Sequence, residues 1–455
     1  MKATFSTYLT EGLILVSPAM FLLVLLLMAT VKLPHNQFCV LLGIAQLFFL
    51  VLFALFSQHD PNALPSSVPI DFQDVHSILL VGFGFLVVFV RRYGFGSFTM
   101  SMMLTAFTLE LAIILTFSLI NADYTAAVVL ISFGALCGKL SPMQYLLMAL
   151  IEAPFSIFNE YIVVKILGVQ DLGGSMIIHV FGAVFGLIAG RVLFTKTWRD
   201  SEHLGTTGFL WVFWPSFNAA NAFGADARNR SIVNTYTALI GSTITAFVVS
   251  SFYNKKENFN VRHLVNAPLA GGVALGACAN ILLAPFDALA IGVVSGAVAV
   301  FGYIFISPIL EKKCGFSDTR GVNNLHAMPG IIGVLASAIV LLCYKEGSYP
   351  ESSRIIQSGR SQSQQALFQL CGLVVTLLLA GVVGAITGLI LKLNWLTHVP
   401  DSKVYCDDNF FDVPEDYEFT TRISSNIEHL EFTEMKPTNE KSKLMPSVML
   451  KKANM

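Results

Sequence analysis

Apolar residues dominate this chain in long runs that short polar connections separate. A helix that spans a membrane needs about 20 mostly apolar residues. The run near 205–218 is short, so its flanks must complete it. The pattern predicts an all-α polytopic membrane protein. The candidate runs are 13–31, 38–57, 75–90, 98–120, 124–141, 143–166, 174–194, 205–218, 231–252, 264–283, 286–309, 322–343 and 367–391.

The composition agrees with a surface that faces lipid. Charged residues make up 13% of the 455 residues and hydrophobic ones 55%, whereas a soluble domain usually carries roughly 25% charged residues. No polar linker divides the chain before about residue 393. The net charge of −1 gives no indication of a nucleic-acid partner.

Positive charge in the connections predicts the orientation, because Lys and Arg accumulate in cytoplasmic loops. Every second connection is basic, whereas 58–74 contains no Lys or Arg. The basic connections, and with them the C-terminus, should therefore be cytoplasmic. They contain Arg91 and Arg92; Lys139; Arg191, Lys196 and Arg199; Lys255, Lys256 and Arg262; and Lys312, Lys313 and Arg320.

Both ends of the chain differ from the apolar region. From residue 33 onward, twelve spans place both ends in the cytoplasm. The run at 13–31 is then either a cleaved signal segment or a thirteenth span. The polar, net acidic segment 396–455 is predicted to be a solvated cytoplasmic tail with a role in trafficking or regulation. The predicted organisation is therefore an extension at 1–33, a membrane domain at 34–395 and this tail.

Two histidines lie within apolar, glycine-rich spans, where each ionisable side chain indicates a functional site. They are His179 in GGSMIIHVFGAVFG and His326 in GVNNLHAMPGIIG. Either one alone could serve only as a hydrogen bond between helices. Small residues follow both and allow close approach of helices, and the spans lie five apart, as in inverted-repeat transporters. We therefore expect the histidines to meet near the middle of the membrane and to share a proton.

Two acidic residues lie at the predicted outer end of this region. Asp171 opens the His179 span, where it could cap the helix, attract a cation or do both. Glu160 ends the preceding span and either draws cations or marks the lipid interface. The aromatic segment LWVFWPSFNAA (210–220) indicates an interfacial belt or rings that bind a small cation.

The usual motifs of catalysis and cofactor binding do not occur in the sequence. There is no GxxxxGK[ST], GxSxG or HExxH pattern and no Cys/His cluster. The seven cysteines include no C-x-x-C spacing. We therefore expect a protein that is not an enzyme and that uses no cofactor or metal.

At these residues the chain resembles the Rhesus (Rh) glycoprotein branch of the ammonium transporter family. The resemblance runs in family order over roughly 72–395. Such colinearity is more specific than any single motif. The matching segments are FQDVHSILLVGFGFLVVFVRRYGFG (72–96), FGALCGKLSP (133–142), NEYIVVKILGVQDLGGSMIIHVFGAVFG (159–186), LWVFWPSFN (210–218), NAPLAGGVALG (266–276) and GVNNLHAMPGIIG (321–333).

The resemblance implies a homotrimer in which each subunit has one pore between two inverted halves of five helices. Rh members add a helix at the start, which 38–57 would supply, whereas 13–31 departs from the pattern. The segment 229–231 is also a glycosylation sequon (Asn-Arg-Ser). It lies in a short connection predicted to be outside.

The resemblance also assigns roles to individual residues. His179 and His326 would be the twin histidines of the pore, and Asp171 the acidic residue of the outer vestibule. Phe217 would be one member of a stacked aromatic gate, and Trp214 a pore-wall aromatic. The other gate position falls on Tyr124, where Phe is usual, and a hydroxyl there would loosen or rehydrate the gate.

These roles predict a channel-type transporter of the plasma membrane that conducts ammonia after ammonium loses a proton. Apart from ammonium and membrane lipids, its partners would include a cytoskeletal or trafficking protein at the tail. Two alternatives remain: a gas channel that also passes carbon dioxide, and a sensor or scaffold that does not transport.

Overall fold

The chain folds into a bundle of long helices. The computed structural model describes residues 37–56, 70–84, 86, 93–194, 208–253, 260–282, 284–343, 355–357 and 359–413. Within these ranges the chain forms helices and no β-strand. The run at 13–31, the basic residues at 91, 92, 196, 199, 255 and 256, and the tail beyond 413 lie outside the described residues.

The helices of the first half end with the His179 span. Several of them contain a π-helical turn, in which the backbone takes one extra residue per turn. They are α1 (Gln37–Phe56), α2 (Ile70–Ser77, continued by a π turn at Ile78–Phe83), α3 (Gly94–Thr116), α4 (Leu119–Leu136), α5 (Pro142–Glu160, continued by a π turn at Tyr161–Ile166) and α6 (Phe181–Leu193, preceded by a π turn at Ser175–Val180).

The second half ends with the His326 span, and one long helix follows. They are α7 (Gly208–Ala219), α8 (Ala225–Phe252), α9 (Val261–Asn266, continued by a 3₁₀ turn at Ala267–Leu269), α10 (Ala270–Leu275), α11 (Pro285–Phe301, continued by a π turn at Gly302–Ile306), α12 (Ser307–Cys314), α13 (Met328–Cys343, preceded by a π turn at Asn323–Ala327) and α14 (Gln362–Leu391).

The helices confirm the predicted spans. Each run from 38–57 to 367–391 contains a helix. Among the described residues, nine helical stretches are long and apolar enough to cross a membrane. The remaining predicted spans are occupied by α2, by the short α7 and by the broken pair α9–α10. The sequon begins at Asn229, within the first turns of α8.

Burial separates central helices from lipid-facing ones. In the most apolar stretches, 83% of α4 and 78% of the α6 span are buried, compared with 11% of α1. On α1, Leu47 and Leu50 are each 65% exposed. Because apolar side chains are stable only away from water, this helix belongs against lipid, and α4 and α6 form the centre.

Glycines allow α6 to pack closely against α4, which agrees with the prediction that the small residues after His179 permit close approach of helices. A Cβ atom on Gly182 would lie 2.7 Å from the carbonyl oxygen of Val128. A Cβ atom on Gly186 would lie 2.8 Å from the Cα atom of Ser132. Both distances are shorter than van der Waals contact, so only glycine permits this spacing.

The chain beyond α14 contacts the predicted cytoplasmic ends of the helices. The compact helical unit continues to Phe410, beyond the predicted boundary at 395. The amide of Tyr405 donates to the carbonyl oxygen of Gly138 over 2.8 Å. Asp407 accepts hydrogen bonds from the amides of Phe95 and Gly96, at 2.9 and 2.7 Å. Residues 401–409 therefore form a docked segment, in which residues 405–407 are buried and residues 401, 402 and 408 are exposed.

Candidate functional site

The two membrane histidines contact each other at the centre of the bundle. Nδ1 of His326 lies 3.2 Å from Nδ1 of His179. The ring centroids are 5.1 Å apart and the ring planes differ by 22°. His179 is 1% and His326 3% exposed, and Nε2 of His179 is buried with no hydrogen-bond partner among the described residues. The predicted meeting of the two histidines is thus present in the structure.

Each histidine lies in a π-helical turn at the start of its span. The turns are Ser175–Val180 and Asn323–Ala327. The residue just before the first turn, Gly174, has φ +73°, and Gly321, two residues before the second, has φ +74°. A residue with a side chain rarely adopts this left-handed conformation, so glycine fixes where each span begins.

The two turns share a spacing that was not among the sequence predictions. In both, an aspartate precedes a glycine by three residues and a histidine by eight. The two histidine spans lie five apart in the chain and therefore run in opposite directions, so the aspartates lie at opposite ends of the bundle. The two copies are Asp171, Gly174 and His179, and Asp318, Gly321 and His326.

Both aspartates accept hydrogen bonds from backbone amides at the start of their spans. Oδ2 of Asp171 accepts hydrogen bonds from the amides of Met176 and Ile177, at 3.0 and 2.9 Å. Asp318 accepts from three successive amides, those of Gly321, Val322 and Asn323, at 2.8 to 3.0 Å. A carboxylate stabilises a helix start when it accepts hydrogen bonds from the backbone amides that have no partner within the helix. The predicted cap at Asp171 is present, and Asp318 is its counterpart at the predicted cytoplasmic end.

Burial also affects the charge of Asp171, which lies in the connection before its span. Burial raises the pKa of Asp171 to about 7, although the backbone amides of Ile177, Met176 and Ser175 lower it and the charge of Glu160 adds to the rise. Its carboxyl group therefore titrates near neutral pH. Glu160 itself is half-buried at the end of α5.

Three aromatic rings lie beside the histidine pair. Trp214 stacks on His179, with ring centroids 5.6 Å apart and planes at 28°. Phe217 lies 6.3 Å from His179 between ring centroids. The rings of Tyr124 and Phe217 are 4.8 Å apart, with planes tilted by 52°. The structure therefore brings the three aromatic residues named from the sequence to one side of the pair.

The hydroxyl group of Tyr124 does not open this aromatic pair to water. It donates a hydrogen bond of 2.8 Å to the carbonyl oxygen of Phe217, and both residues are buried, at 3% and 2% exposed. The expectation that the hydroxyl loosens the pair is therefore not met by this geometry, which instead joins α4 to α7.

Helix α2 supplies polar groups beside this pair that were not among the sequence predictions. His76 contacts the carboxylate of Asp123 through Nδ1 at 3.0 Å. The hydroxyl of Ser216 donates to Asp74 over 2.7 Å. Asp74 and His76 occur in the matching segment FQDVH, so two ionisable groups at the start of the predicted span 75–90 were the available signal.

The described residues hold no group of three or more His, Cys, Asp or Glu side chains that could bind a metal ion. The groups that the structure does bring to this region are an imidazole pair, two aspartate caps and aromatic rings. Such a lining suits a small molecule that can both donate and accept hydrogen bonds.

This chain is similar to known ammonium transporters. The model of the Ammonium Transporter Family matches residues 41–407. Ammonium transporter Rh type B of Rattus norvegicus is 43% identical over 383 residues, which cover 77% of this chain and 84% of the rat protein. The Homo sapiens protein of the same name is 43% identical over 381 residues, covering 76% and 83% of the two chains.

Solved structures share the fold. Nitrosomonas europaea Rh50 superimposes with a TM-score of 0.65 at 33% identity, covering 80% of this chain and 97% of that one. Saccharomyces cerevisiae Mep2 has a TM-score of 0.59 at 17% identity, covering 76% and 92%, and supports the fold alone. The family match extends from α1 to the docked segment and includes both histidines, so this chain belongs to the ammonium transporter family.

Proposed function

We propose that this protein is a channel that conducts ammonia across the plasma membrane, with its C-terminus in the cytoplasm. The observation that carries the proposal is the contact of 3.2 Å between the Nδ1 atoms of His179 and His326 in the buried centre of the bundle. The family match and the relatives named ammonium transporters support the substrate.

The apolar surroundings select the neutral form of the substrate. Moving an isolated ion from water into a low-dielectric interior carries a large desolvation penalty, whereas a neutral amine loses only hydrogen bonds. Ammonium can avoid the penalty by leaving its proton behind. Na⁺ and K⁺ have no proton to lose, so the same lining excludes them.

The histidine pair replaces hydrogen bonds that ammonia loses on leaving water. A hydrogen bond between two Nδ1 atoms requires one proton, so one imidazole donates and the other accepts. If both rings are neutral, the donor then presents a bare Nε2 and the acceptor presents Nε2–H. The pair therefore offers one acceptor and one donor to ammonia. To reverse these roles with both rings neutral, the shared proton must cross between the Nδ1 atoms and a second proton must pass from one Nε2 to the other.

The residues at the predicted outer end prepare the substrate for the pore. Asp171 and Glu160 concentrate ammonium by their negative charge. Tyr124 and Phe217 form the gate between this vestibule and the histidines, and Trp214 forms the pore wall beside His179. Asp171 also caps the start of the His179 span, so one residue both attracts ammonium and stabilises the helix.

The proposed assembly is a homotrimer with one pore in each subunit. Lipids contact its outer helices, and a trafficking or cytoskeletal protein binds the tail beyond the described residues. The family match and the lipid-facing apolar helices support the trimer and the membrane setting.

The test is stopped-flow ammonia uptake into proteoliposomes that contain a pH dye. We expect wild-type protein to accelerate alkalinisation over empty liposomes, and His179→Ala/His326→Ala to lose most of that increase. His263→Ala is the matched control. It removes another buried membrane-unit histidine, which contacts Ser250 and Tyr303 instead of the pair.

The outcomes separate the alternatives. Wild-type rates equal to empty liposomes, from folded trimers, would favour a sensor or scaffold. Unchanged flux in the double mutant would reject the role of the twin histidines. The same assay with carbon dioxide, read as acidification, distinguishes an ammonia channel from a channel for both gases.

A further inference from the structure

The gate of this protein is closed by a hydrogen bond as well as by two rings. The phenol of Tyr124 donates to the carbonyl oxygen of Phe217 over 2.8 Å, while the centroids of the two rings lie 4.8 Å apart. A phenylalanine at position 124 would keep the ring contact and lose the bond. The hydroxyl is therefore a separate element of the gate.

The carbonyl group of Phe217 is well placed to accept this bond. Phe217 lies in the last turn of α7, which ends at Ala219, and the last four carbonyl groups of a helix have no amide four residues further on. The amide of Ala220 approaches the same oxygen only at 3.5 Å. Because the oxygen is buried, losing the phenol leaves it poorly satisfied, which opposes separation of the rings.

Contacts with helix α2 restrain the backbones of Tyr124 and Phe217 from moving apart. Asp123, next to Tyr124, contacts Nδ1 of His76 at 3.0 Å. Ser216, next to Phe217, donates to Asp74 over 2.7 Å. The neighbours of both gate residues thus contact helix α2, at two positions that are two residues apart in the sequence. A solute that widens the gate must break the phenol bond or stretch these contacts.

We infer that the hydroxyl group of Tyr124 determines specificity by holding the gate narrow, so that ammonia passes more readily than a methylated amine. The inference rests on the proposed ammonia channel. A larger amine separates the rings further and requires the phenol bond to break more often. Ammonia needs a smaller opening and depends less on this bond.

The experiment compares ammonium with methylammonium in proteoliposomes by stopped-flow alkalinisation. Tyr124→Phe should raise the methylamine-to-ammonia flux ratio roughly two- to tenfold, as expected for loss of one buried hydrogen bond. Ser216→Ala, which releases one contact with α2 and keeps the phenol, should raise the same ratio by a smaller factor.

Tyr145→Phe is the matched control. Tyr145 is also fully buried, and its hydroxyl donates to the carbonyl oxygen of Leu136 and accepts from the amide of Gly138, each over 2.9 Å and away from the gate. This variant should lower thermal stability and leave the flux ratio unchanged.

The possible results distinguish a failure of the inference from a failure of the proposed function. An unchanged ratio in Tyr124→Phe, with ammonia flux intact, would overturn the inference and leave the channel standing. An equal rise in Tyr145→Phe would also overturn it, because the effect would then follow general loosening. If Tyr124→Phe does not fold, Ser216→Ala is measured in its place. A raised methylamine-to-ammonia flux ratio supports the narrow gate, and an unchanged ratio overturns it. Wild-type protein with no ammonia flux would instead defeat the proposed function.

Discussion

Asp171 combines a helix cap with a negative charge, and two substitutions separate these roles. Asp171→Asn keeps an acceptor oxygen for the amides of Met176 and Ile177 and removes the charge. Asp171→Ala removes both. We expect Ala to lower the free energy of unfolding by about 1 kcal/mol relative to Asn, the usual value of a lost cap, measured as thermal unfolding in detergent.

The charge of Asp171 should affect flux according to pH. Because burial raises the pKa of Asp171 to about 7, its carboxyl group is mainly ionised at pH 8 and mainly neutral at pH 6. Wild type should therefore exceed Asp171→Asn in ammonium uptake at pH 8 by on the order of twofold, as expected for one charge across roughly 10 Å of water. The advantage should shrink at pH 6. A constant ratio would mean that recruitment does not depend on this charge.

At the scale of single residues, sequence reasoning found the groups that are rare in a membrane. His179 and His326 stood out because an ionisable side chain in an apolar span is costly unless a partner or a function requires it. The repeated spacing that identifies Asp318 is also present in the sequence, but polar residues at the end of a span look like ordinary connections. The phenol bond of Tyr124 depends on where α7 ends, which hydropathy does not determine.

At the scale of elements, the spacing of α4 and α6 depends on glycine. A Cβ atom on Gly182 would lie 2.7 Å from the carbonyl oxygen of Val128, so Gly182→Ala must push the helices apart. Overpacking of this kind destabilises by roughly 1–3 kcal/mol. Because Gly182 follows His179 by three residues, ammonia flux should fall together with the unfolding temperature.

Gly381→Ala is the control for this prediction. Gly381 lies within α14, and its added Cβ atom would meet only the side chain of Ile188, at an ordinary 3.4 Å. Alanine also favours a helix over glycine by about 1 kcal/mol. Gly381→Ala should therefore be neutral or stabilising, with unchanged flux. Equal losses of stability and flux in Gly182→Ala and Gly381→Ala would show that the losses do not result from the short distance between Gly182 and α4.

Hydropathy predicted the existence and order of these elements because each span must satisfy its backbone within a helix in lipid. It could not predict their interruptions. The π turns at Ser175–Val180 and Asn323–Ala327 follow the aspartate caps and the left-handed glycines and lie where the two spans meet. The break between α9 and α10 likewise contains apolar residues that give no hydropathy signal.

At the scale of the whole molecule, the Asp, Gly and His spacing is repeated symmetrically, once in each half of the fold. The two copies begin at opposite ends of the bundle and bring their histidines together at the centre. The docked segment 401–409 breaks this symmetry, because it lies at one end only. It contacts the start of α3 and the turn after α4, both at the predicted cytoplasmic end.

Asp407 should hold this segment in place. Its carboxylate accepts two backbone hydrogen bonds at the start of α3, and it is 1% exposed. Asp407→Ala leaves the amides of Phe95 and Gly96 without this cap, so it should destabilise the protein by roughly 1–3 kcal/mol. Limited proteolysis in detergent should then cut more readily after residue 393.

The neighbouring Asp408 provides the matched control for Asp407. It is exposed and pairs with Lys403, and an exposed ion pair contributes about 0–1 kcal/mol. Asp408→Ala removes the same type of side chain from the same 3₁₀ turn, Asp407–Asn409, yet it should leave proteolysis nearly unchanged. If both variants release the segment equally, the turn itself and not the cap on α3 holds it. If only Asp407→Ala does, the C-terminal segment is fastened to the helical bundle through α3, and the end of the membrane domain lies near residue 410 rather than 395.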